Sequence, residues 1–164
     1  IAVSVFQLDT NGFVMQPLDP HQCVIPLSQM NSQLPVITGL DVYQLQAGQR
    51  LQSPQALAAV QLIGAFKHSP MAGRVDLRFV DISSPGVVVA TTGQGGEITF
   101  GLDNLEQQLG RWREIYDLGL SLNKMIVSLD LAVANNVPVR WAEMISPPFA
   151  PKKLNTENSR RKNV

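Results

Sequence analysis

The sequence predicts an α+β domain in which a mostly antiparallel β-sheet meander carries two helices packed on it. Of its 164 residues, 45% are hydrophobic and 16% are charged, a balance typical of one packed globular domain and too apolar for a disordered chain. Short segments rich in β-branched residues alternate with turn-forming residues along most of the chain. Two longer segments, 53–66 and 103–119, instead carry helical signals.

The first 15 residues predict a β-hairpin. Residues 1–8 are rich in β-branched and aromatic side chains, and the DTNG step at 9–12 offers turn positions that tolerate positive φ. A calcium loop would need oxygen ligands after its glycine, but the apolar residues FVM occupy positions 13–15. A turn followed by a second short strand is therefore predicted.

The segment before the first helix is interpreted as connecting loops. Prolines and glycines interrupt residues 21–52, with short strands predicted around Val24 and Val42. The helix is predicted to begin at the serine-proline step at 53–54, because serine is a favoured N-cap and proline fits the first helical position. Residues 56–66 are apolar on nearly all sides, which predicts a largely buried helix.

Three strands follow and form the predicted meander. Residues 74–82 alternate in hydrophobicity, which predicts a strand with one inward face made of Val75, Leu77 and Phe79. Strands at 86–92 and 97–100 are joined by the GQGG turn at 93–96. This turn resembles a phosphate-binding loop, but Ile98 stands where the dinucleotide motif needs its third glycine, and a strand follows instead of a helix.

The second helix is predicted to begin at Asp103, with Glu106 completing an aspartate-led capping box. Its apolar residues recur at three- and four-residue steps and form one inward stripe of Leu102, Leu105, Leu109, Trp112, Tyr116 and Gly119. Because both aromatic rings lie in this stripe, core packing is preferred for them over stacking on a ligand.

Two strands end the predicted fold. The first is a long strand from Lys124 to Val133, and the asparagine pair at 135–136 turns the chain toward a last strand at 137–141. Pro138 lies within that last strand and cannot donate a ladder hydrogen bond, so the strand is expected at a sheet edge, where another chain can add a strand. The inward residues of the long strand are Met125, Val127, Leu129, Leu131 and Val133.

Trp141 ends the predicted edge strand, and two roles are open for it. Its large amphipathic ring either anchors a partner or closes the core.

The net charge of zero is a cancellation between two parts of the chain. Residues 1–150 carry 8 basic and 12 acidic side chains, whereas residues 151–164 carry 5 basic and 1 acidic. The neutral total argues against a nucleic-acid-binding domain. The C-terminal segment is interpreted as a solvated basic tail, with an electrostatic contact to an anionic lipid, a polymer or a nucleic acid as the alternative.

Residues suited to catalysis are few. His21 and His68 are the only imidazoles, and no serine beside them lies in a nucleophile-elbow pattern. His21 and Cys23 are two potential zinc ligands, but a structural zinc site needs four. The single cysteine cannot form an internal disulfide. We therefore predict no catalytic, metal or cofactor site.

The order of these features resembles a known family. The motifs that carry the resemblance are FQLDTNGFVM at 6–15, LPVITG at 34–39, the serine-proline helix at 53–54, VDLRFVDI at 75–82, ITFGLDNLEQQLGRWREIYDLGL at 98–120 and VSLDLAVANNVPVRW at 127–141. Over about 140 residues the chain is similar to the extracytoplasmic β domain of the FtsQ/DivIB bacterial cell-division proteins.

The resemblance implies a non-catalytic scaffold of the division machinery, held in the bacterial inner membrane by one upstream transmembrane helix and exposed on the periplasmic side. It divides the chain into residues 1–5 as the end of a preceding POTRA-type domain, 6–146 as the β domain and 147–164 as a basic disordered tail. It also implies that partners of the FtsB and FtsL type extend the sheet through Val133, Asn135, Val137, Pro138, Val139, Arg140 and Trp141.

A second hypothesis belongs to a different functional class. In it, the chain is an extracytoplasmic β domain that binds a small ligand or a cell-wall polymer, using the concave side of the sheet and the basic tail.

Overall fold

Residues 6–15 and 34–145 are described by the computed structural model, and they fold around one β-sheet. Two helices, α1 (Pro54–Lys67) and α2 (Leu105–Ser121), and a 3-10 helix (Val42–Gln44) accompany the sheet. The α+β class is therefore confirmed. The six strands lie in the sheet in chain order as β1 (Val36–Thr38), β2 (Leu77–Asp81), β3 (Val87–Thr92), β4 (Glu97–Gly101), β5 (Lys124–Asp130) and β6 (Val139–Glu143).

Only the middle of the sheet is a meander. The pairs β2–β3 and β3–β4 are antiparallel as predicted, and β5–β6 is also antiparallel. The pairs β1–β2 and β4–β5 are parallel, because α1 and α2 lie between them in the chain. Parallel neighbours need a crossover of a dozen residues or more, and each predicted helix belongs to one. The sheet is thus mixed, with three antiparallel and two parallel pairs, rather than one continuous meander.

The core lies between the two helices and one face of the sheet. Trp112 of α2 is 1% exposed, and its ring centroid lies 6.0 Å from that of Phe66 in α1 and 5.9 Å from that of Phe100 in β4. Aromatic pairs at such distances add about 0.5–1.5 kcal/mol each beyond the area that they bury. The inward stripe predicted for α2 is confirmed as buried at Leu105, Leu109, Trp112 and Gly119.

The N-terminal hairpin forms where the sequence predicts it. Leu8 pairs with Val14 across the turn, and the Asp9 carboxylate accepts hydrogen bonds from the backbone N–H of Phe13 at 2.7 Å and of Asn11 at 2.9 Å. These bonds stabilise the charged carboxylate and hold the pKa of Asp9 below its ordinary value. The aspartate therefore acts as a turn residue.

The segment before α1 differs in part from its prediction. Ser53 caps α1 as expected, but the predicted strand around Val42 is wrong. The Asp41 carboxylate accepts a hydrogen bond from Tyr43 N at 3.1 Å, and this local bond favours the 3-10 helix over a strand. The strand of this region is β1, which the sequence pattern did not predict. The predicted strand around Val24 lies outside the described residues.

The start of α2 is also different from its prediction. The N-cap is Asn104, in a left-handed conformation with φ of 55°, and its side chain makes no cap hydrogen bond. Gln108 replaces the predicted Asp103–Glu106 capping box. Its side-chain oxygen accepts from Gly101 N at 2.9 Å, and its nitrogen donates to Asp103 O at 2.6 Å. The helix start is thereby tied to the end of β4.

Register shifts overturn two of the predicted inward faces. In β2 the pairing shifts between Leu77 and Phe79, so that Val80 is buried and Phe79 is 49% exposed. In β5 the shift lies between Ile126 and Ser128, which leaves Val127 as an extra residue. An extra residue moves the side chains before it to the opposite face. A strict alternation therefore fails along both strands.

The predicted long strand from Lys124 to Val133 is shorter and less regular in the structure. It ends at Asp130. Its predicted inward residues divide into two groups, because Leu129 and Leu131 are buried whereas Met125, Val127 and Val133 are exposed.

Candidate functional site

The predicted partner-binding residues gather at one edge of the sheet. β6 is the last strand, and among the described residues no strand pairs with its outer side. The predicted edge position is therefore confirmed, although β6 runs from 139 to 143 rather than from 137 to 141. Three predicted residues lie in β6 and four in the preceding β5–β6 loop (131–138), namely Val139, Arg140 and Trp141 in the strand and Val133, Asn135, Val137 and Pro138 in the loop.

Hydrogen bonds just beyond both ends of β6 fix the orientation of its backbone. Asp130 N donates to Pro138 O at 3.0 Å, and Met144 N donates to Asn123 O at 3.1 Å. Both Pro138 and Met144 therefore point their backbone groups toward β5. The residues between them must alternate, because the register shift of this pair lies in β5 and not in β6.

Alternation divides β6 into two sets of residues. Arg140 and Ala142 point their N–H and C=O toward β5. Val139, Trp141 and Glu143 point theirs away from the sheet, where no described strand lies. The outer edge of β6 thus presents three donors and three acceptors in a row.

Pro138 has a different position from the one predicted. It immediately precedes β6 instead of lying within it. Its backbone faces β5, where its carbonyl accepts the Asp130 N–H, so its missing N–H is also directed toward β5. The proline therefore removes no donor from the outer edge.

Trp141 joins the edge strand to the helix layer. A Cβ atom at Gly119 of α2 would overlap the Trp141 ring and would lie 2.9 Å from Lys124 O, so only glycine fits there without a shift. The ring is half-buried. The ring thus packs on α2 at Gly119, while the backbone of the same residue faces outward.

The β5–β6 loop is shaped by short polar contacts. Ala132 N donates to the Asp130 carboxylate at 3.0 Å, and Asn136 adopts a left-handed conformation with φ of 51°. From α2, the Arg111 guanidinium donates to Val133 O at 3.4 Å and to Ala134 O at 3.2 Å. Among the described residues, the hydrogen bonds from α2 to the loop thus come from one side chain that reaches two carbonyl groups, while Leu131 and Val137 join the core at the two ends of the loop.

Exposed apolar side chains lie on β5 and at the end of α2, the elements that contact β6. Leu118 of α2 and Leu122, which follows the helix, are 53% and 54% exposed. Met125 and Val127 of β5 are each 38% exposed. Apolar groups beside free backbone donors and acceptors are typical of a surface that binds another chain.

A groove of about 1050 Å³ lies elsewhere, between the end of α1 and the start of α2. His68, Asp103 and Glu106 are among the residues that line it, and Gly64 and Gly110 make it wide. Within 6–15 and 34–145, no three His, Cys, Asp or Glu side chains are grouped so that they could hold a metal ion. His21 and Cys23 lie outside these residues.

Neither helix in the described part of the chain is long and apolar enough to span a bilayer. Residues 1–5 and 147–164, which the sequence assigns to a domain junction and a basic tail, lie outside the described residues.

Three residues of this site were missed by sequence reasoning. Glu143 could have been found by extending the two-residue period of Val139 and Trp141. Gly119 was placed in the buried stripe without its contact to Trp141. Arg111 carries no sequence signal for its loop contacts, because they depend on tertiary structure.

The whole chain was also compared with known proteins. No family model matches it, and no curated protein matches it.

Proposed function

We propose that this chain is the β domain of an FtsQ/DivIB-type division protein and that it binds FtsB- or FtsL-type partners by strand addition at β6. The observation that supports the proposal is the outward-facing backbone of Val139, Trp141 and Glu143 at the end of the sheet. In strand addition, main-chain hydrogen bonds supply affinity and alternate side chains supply specificity. The domain acts as a non-catalytic scaffold in this proposal.

The two faces of the edge favour a partner strand with alternating character. On the helix side, Trp141 and the exposed Leu118 and Leu122 offer apolar contacts. On the opposite side, Arg140 is exposed beside Ser128, its cross-strand neighbour. A segment with apolar side chains on one face and an acidic side chain opposite the arginine matches both surfaces.

The proposal includes the location of the domain. Residues 1–5 continue from a POTRA-type domain, and an upstream transmembrane helix holds the protein in the bacterial inner membrane with this domain in the periplasm. The partner then approaches β6 from the same compartment.

A matched pair of substitutions tests the proposed edge. Val139→Asp places a carboxylate in β6, and Ile37→Asp does so in β1, the opposite edge strand; both side chains are half-buried and pack against the core. We expect Val139→Asp to weaken binding to FtsB- and FtsL-type periplasmic segments by at least about tenfold, equivalent to about 1.4 kcal/mol. We expect Ile37→Asp, once folded, to leave the affinity unchanged, measured by titration calorimetry. Equal effects of the two changes would contradict the proposal.

A second test leaves the protein unaltered. The partner segment is synthesised with N-methyl groups at successive positions, each of which removes one backbone donor. Because only every second donor of an added strand faces β6, we expect loss of binding at alternate positions. Uniform effects, or no binding by the unmodified segment, would overturn strand addition.

The ligand-binding hypothesis has one observation in its favour, the groove between α1 and α2. This groove lies in the helix layer rather than on the sheet. The hypothesis predicts that soluble cell-wall fragments bind at low salt and that a chain ending at Ala150 loses this binding. Retention of partner binding by the same shortened chain would show that the two functions are separate.

A further inference from the structure

The β5–β6 loop carries four of the seven residues assigned to partner binding, so its conformation matters for the proposed site. Residues 132–136 are all exposed, and few apolar contacts therefore hold them. In the described residues, the hydrogen bonds of Val133 and Ala134 to the helix layer both come from Arg111. The two bonds lie three and four residues after the end of β5.

We infer that Arg111 is a positioning residue that holds the β5–β6 loop in the conformation from which β6 receives its partner. The inference rests on the proposed strand addition. A guanidinium has a rigid fork of donors that can reach two neighbouring carbonyls at once, whereas an ammonium is a point donor. Arginine is therefore the residue suited to fix two consecutive peptide groups.

The consequence for binding follows from populations. If the loop occupies several conformations in the free protein, only the competent fraction accepts a partner, and the apparent dissociation constant rises in inverse proportion to that fraction. Arg111 raises the competent fraction before the partner arrives. Its loss should lower the association rate more than it raises the dissociation rate.

The same helix provides a matched control. Arg113 donates from its guanidinium to Pro70 O at 2.9 Å and to the Asp117 carboxylate at 2.7 Å. It thus binds a backbone carbonyl as Arg111 does, but in the connection that follows α1. Arg111→Met and Arg113→Met remove the same donors and keep an unbranched apolar side chain at each position.

The test measures loop order and binding kinetics in the full chain. In ¹⁵N relaxation, we expect order parameters of residues 133–136 to fall from about 0.85 to below about 0.6 in Arg111→Met and to stay unchanged in Arg113→Met. With an FtsB-type periplasmic segment, the association rate constant of Arg111→Met should fall about threefold to tenfold. Arg111→Lys should recover part of this loss.

Each outcome decides one step of the inference. Unchanged order parameters in Arg111→Met would overturn the positioning of the loop. Increased loop motion with an unchanged association rate would overturn its link to binding. If the unaltered domain binds no such segment while the loop still loses order in Arg111→Met, the proposed function fails, and the contact between Arg111 and the loop stands.

Discussion

The two edges of the sheet end in different ways. β1 has three residues, and Gly39 follows it with φ of +85°, packed so closely that an added Cβ would lie 2.6 Å from Ser83 N. The Asp81 carboxylate of β2 accepts a hydrogen bond from Thr38 Oγ1 of β1 at 3.3 Å. β6 has five residues, and no described strand pairs with its outer side.

This difference indicates which edge is suited to bind a partner. Very short edge strands are one way in which proteins prevent further strands from pairing. β1 fits that description, and its local contacts fix it to β2. β6 is longer, with three outward-facing residues, and therefore remains available for pairing.

The largest expected effect on stability is at the β1 edge. Gly39→Ala combines a left-handed φ with overlap against backbone atoms, whereas Gly48→Ala has a similar φ of +81° and nothing within 4 Å. We expect Gly39→Ala to lower the free energy of unfolding by about 2–4 kcal/mol and Gly48→Ala by about 1 kcal/mol. Urea denaturation measures both, and equal losses would contradict the close packing after β1.

A binding measurement distinguishes this loss of stability at β1 from an effect on the proposed binding edge at β6. Once folded, Gly39→Ala should bind an FtsB-type segment with unchanged affinity, because β1 is not the proposed docking edge. Reduced affinity of the folded variant would make β1 part of the binding surface.

The next effect in size is at Gly119, beneath the β6 edge. Gly119→Ala forces apart α2 and Trp141, whereas Gly110→Ala in the same helix meets nothing within 4 Å. Overcrowding costs about 1–3 kcal/mol and offsets the gain of about 1 kcal/mol from alanine in a helix. We therefore expect Gly119→Ala to destabilise the domain and to weaken partner binding, and Gly110→Ala to stabilise it. Stabilisation by both changes would refute the contact between Trp141 and α2.

The elements of the fold also differ in how well the sequence predicts them. Local patterns predict the N-terminal hairpin, the serine cap of α1 and the strands bounded by glycine turns, because each of these depends on residues that are neighbours in the sequence. The register shifts in β2 and β5 depend on pairing with distant strands, so alternation misplaced Phe79 and Met125. The parallel pairs were missed because no local pattern indicates which strand a crossover joins.

The candidate site divides in the same way. Pro138 led to the prediction of an edge from sequence alone, but its missing N–H faces β5 and not the open side, so the edge position is right while the reason given for it is not. The direction in which each backbone group of β6 points depends on its hydrogen bonds with β5. Contacts of Arg111 and Gly119 depend on how α2 lies on the sheet, and no residue pattern within the helix specifies them.

Lowering the pH is expected to have a smaller effect on stability, through Asp81 beside the β1 edge. The Ser83 hydroxyl donates to the Asp81 carboxylate at 2.7 Å, and this bond, with the Ser83 N–H and the Thr38 hydroxyl, holds the pKa of Asp81 below its ordinary value of 3.8. Because the folded pKa is lowered, the stabilisation is present above pH 3.8 and is lost as the pH falls through the folded value.

Asp81→Asn tests this pH dependence. We expect the variant to be less stable than the unaltered protein at pH 7, with the difference shrinking at lower pH, in urea denaturation at each pH. A difference that is constant across pH would show that the charge of Asp81 contributes nothing at this edge.

The smallest expected effect concerns charge beside β6. Arg140→Glu reverses an exposed charge at the proposed site, and Arg78→Glu makes the same change at an exposed residue of β2. Rim charges mainly change association rates, so we expect Arg140→Glu to slow association with an acidic partner segment several-fold at low salt. Stopped-flow measurements should show a weaker effect at high salt. Equal slowing by Arg78→Glu would show that the total charge of the domain, and not a contact at Arg140, changes the association rate.

Hydrogen exchange of single amides in β6 tests the central claim most directly. Val139, Trp141 and Glu143 point their N–H groups outward in the free domain, whereas those of Arg140 and Ala142 face β5. On addition of an FtsB-type periplasmic segment, we predict slower exchange at the three outward amides of β6, with that of Ile37, the outward-facing amide of β1, unchanged. Unchanged exchange at the outward amides of β6 in the bound domain, or new protection at β1, would contradict strand addition at β6.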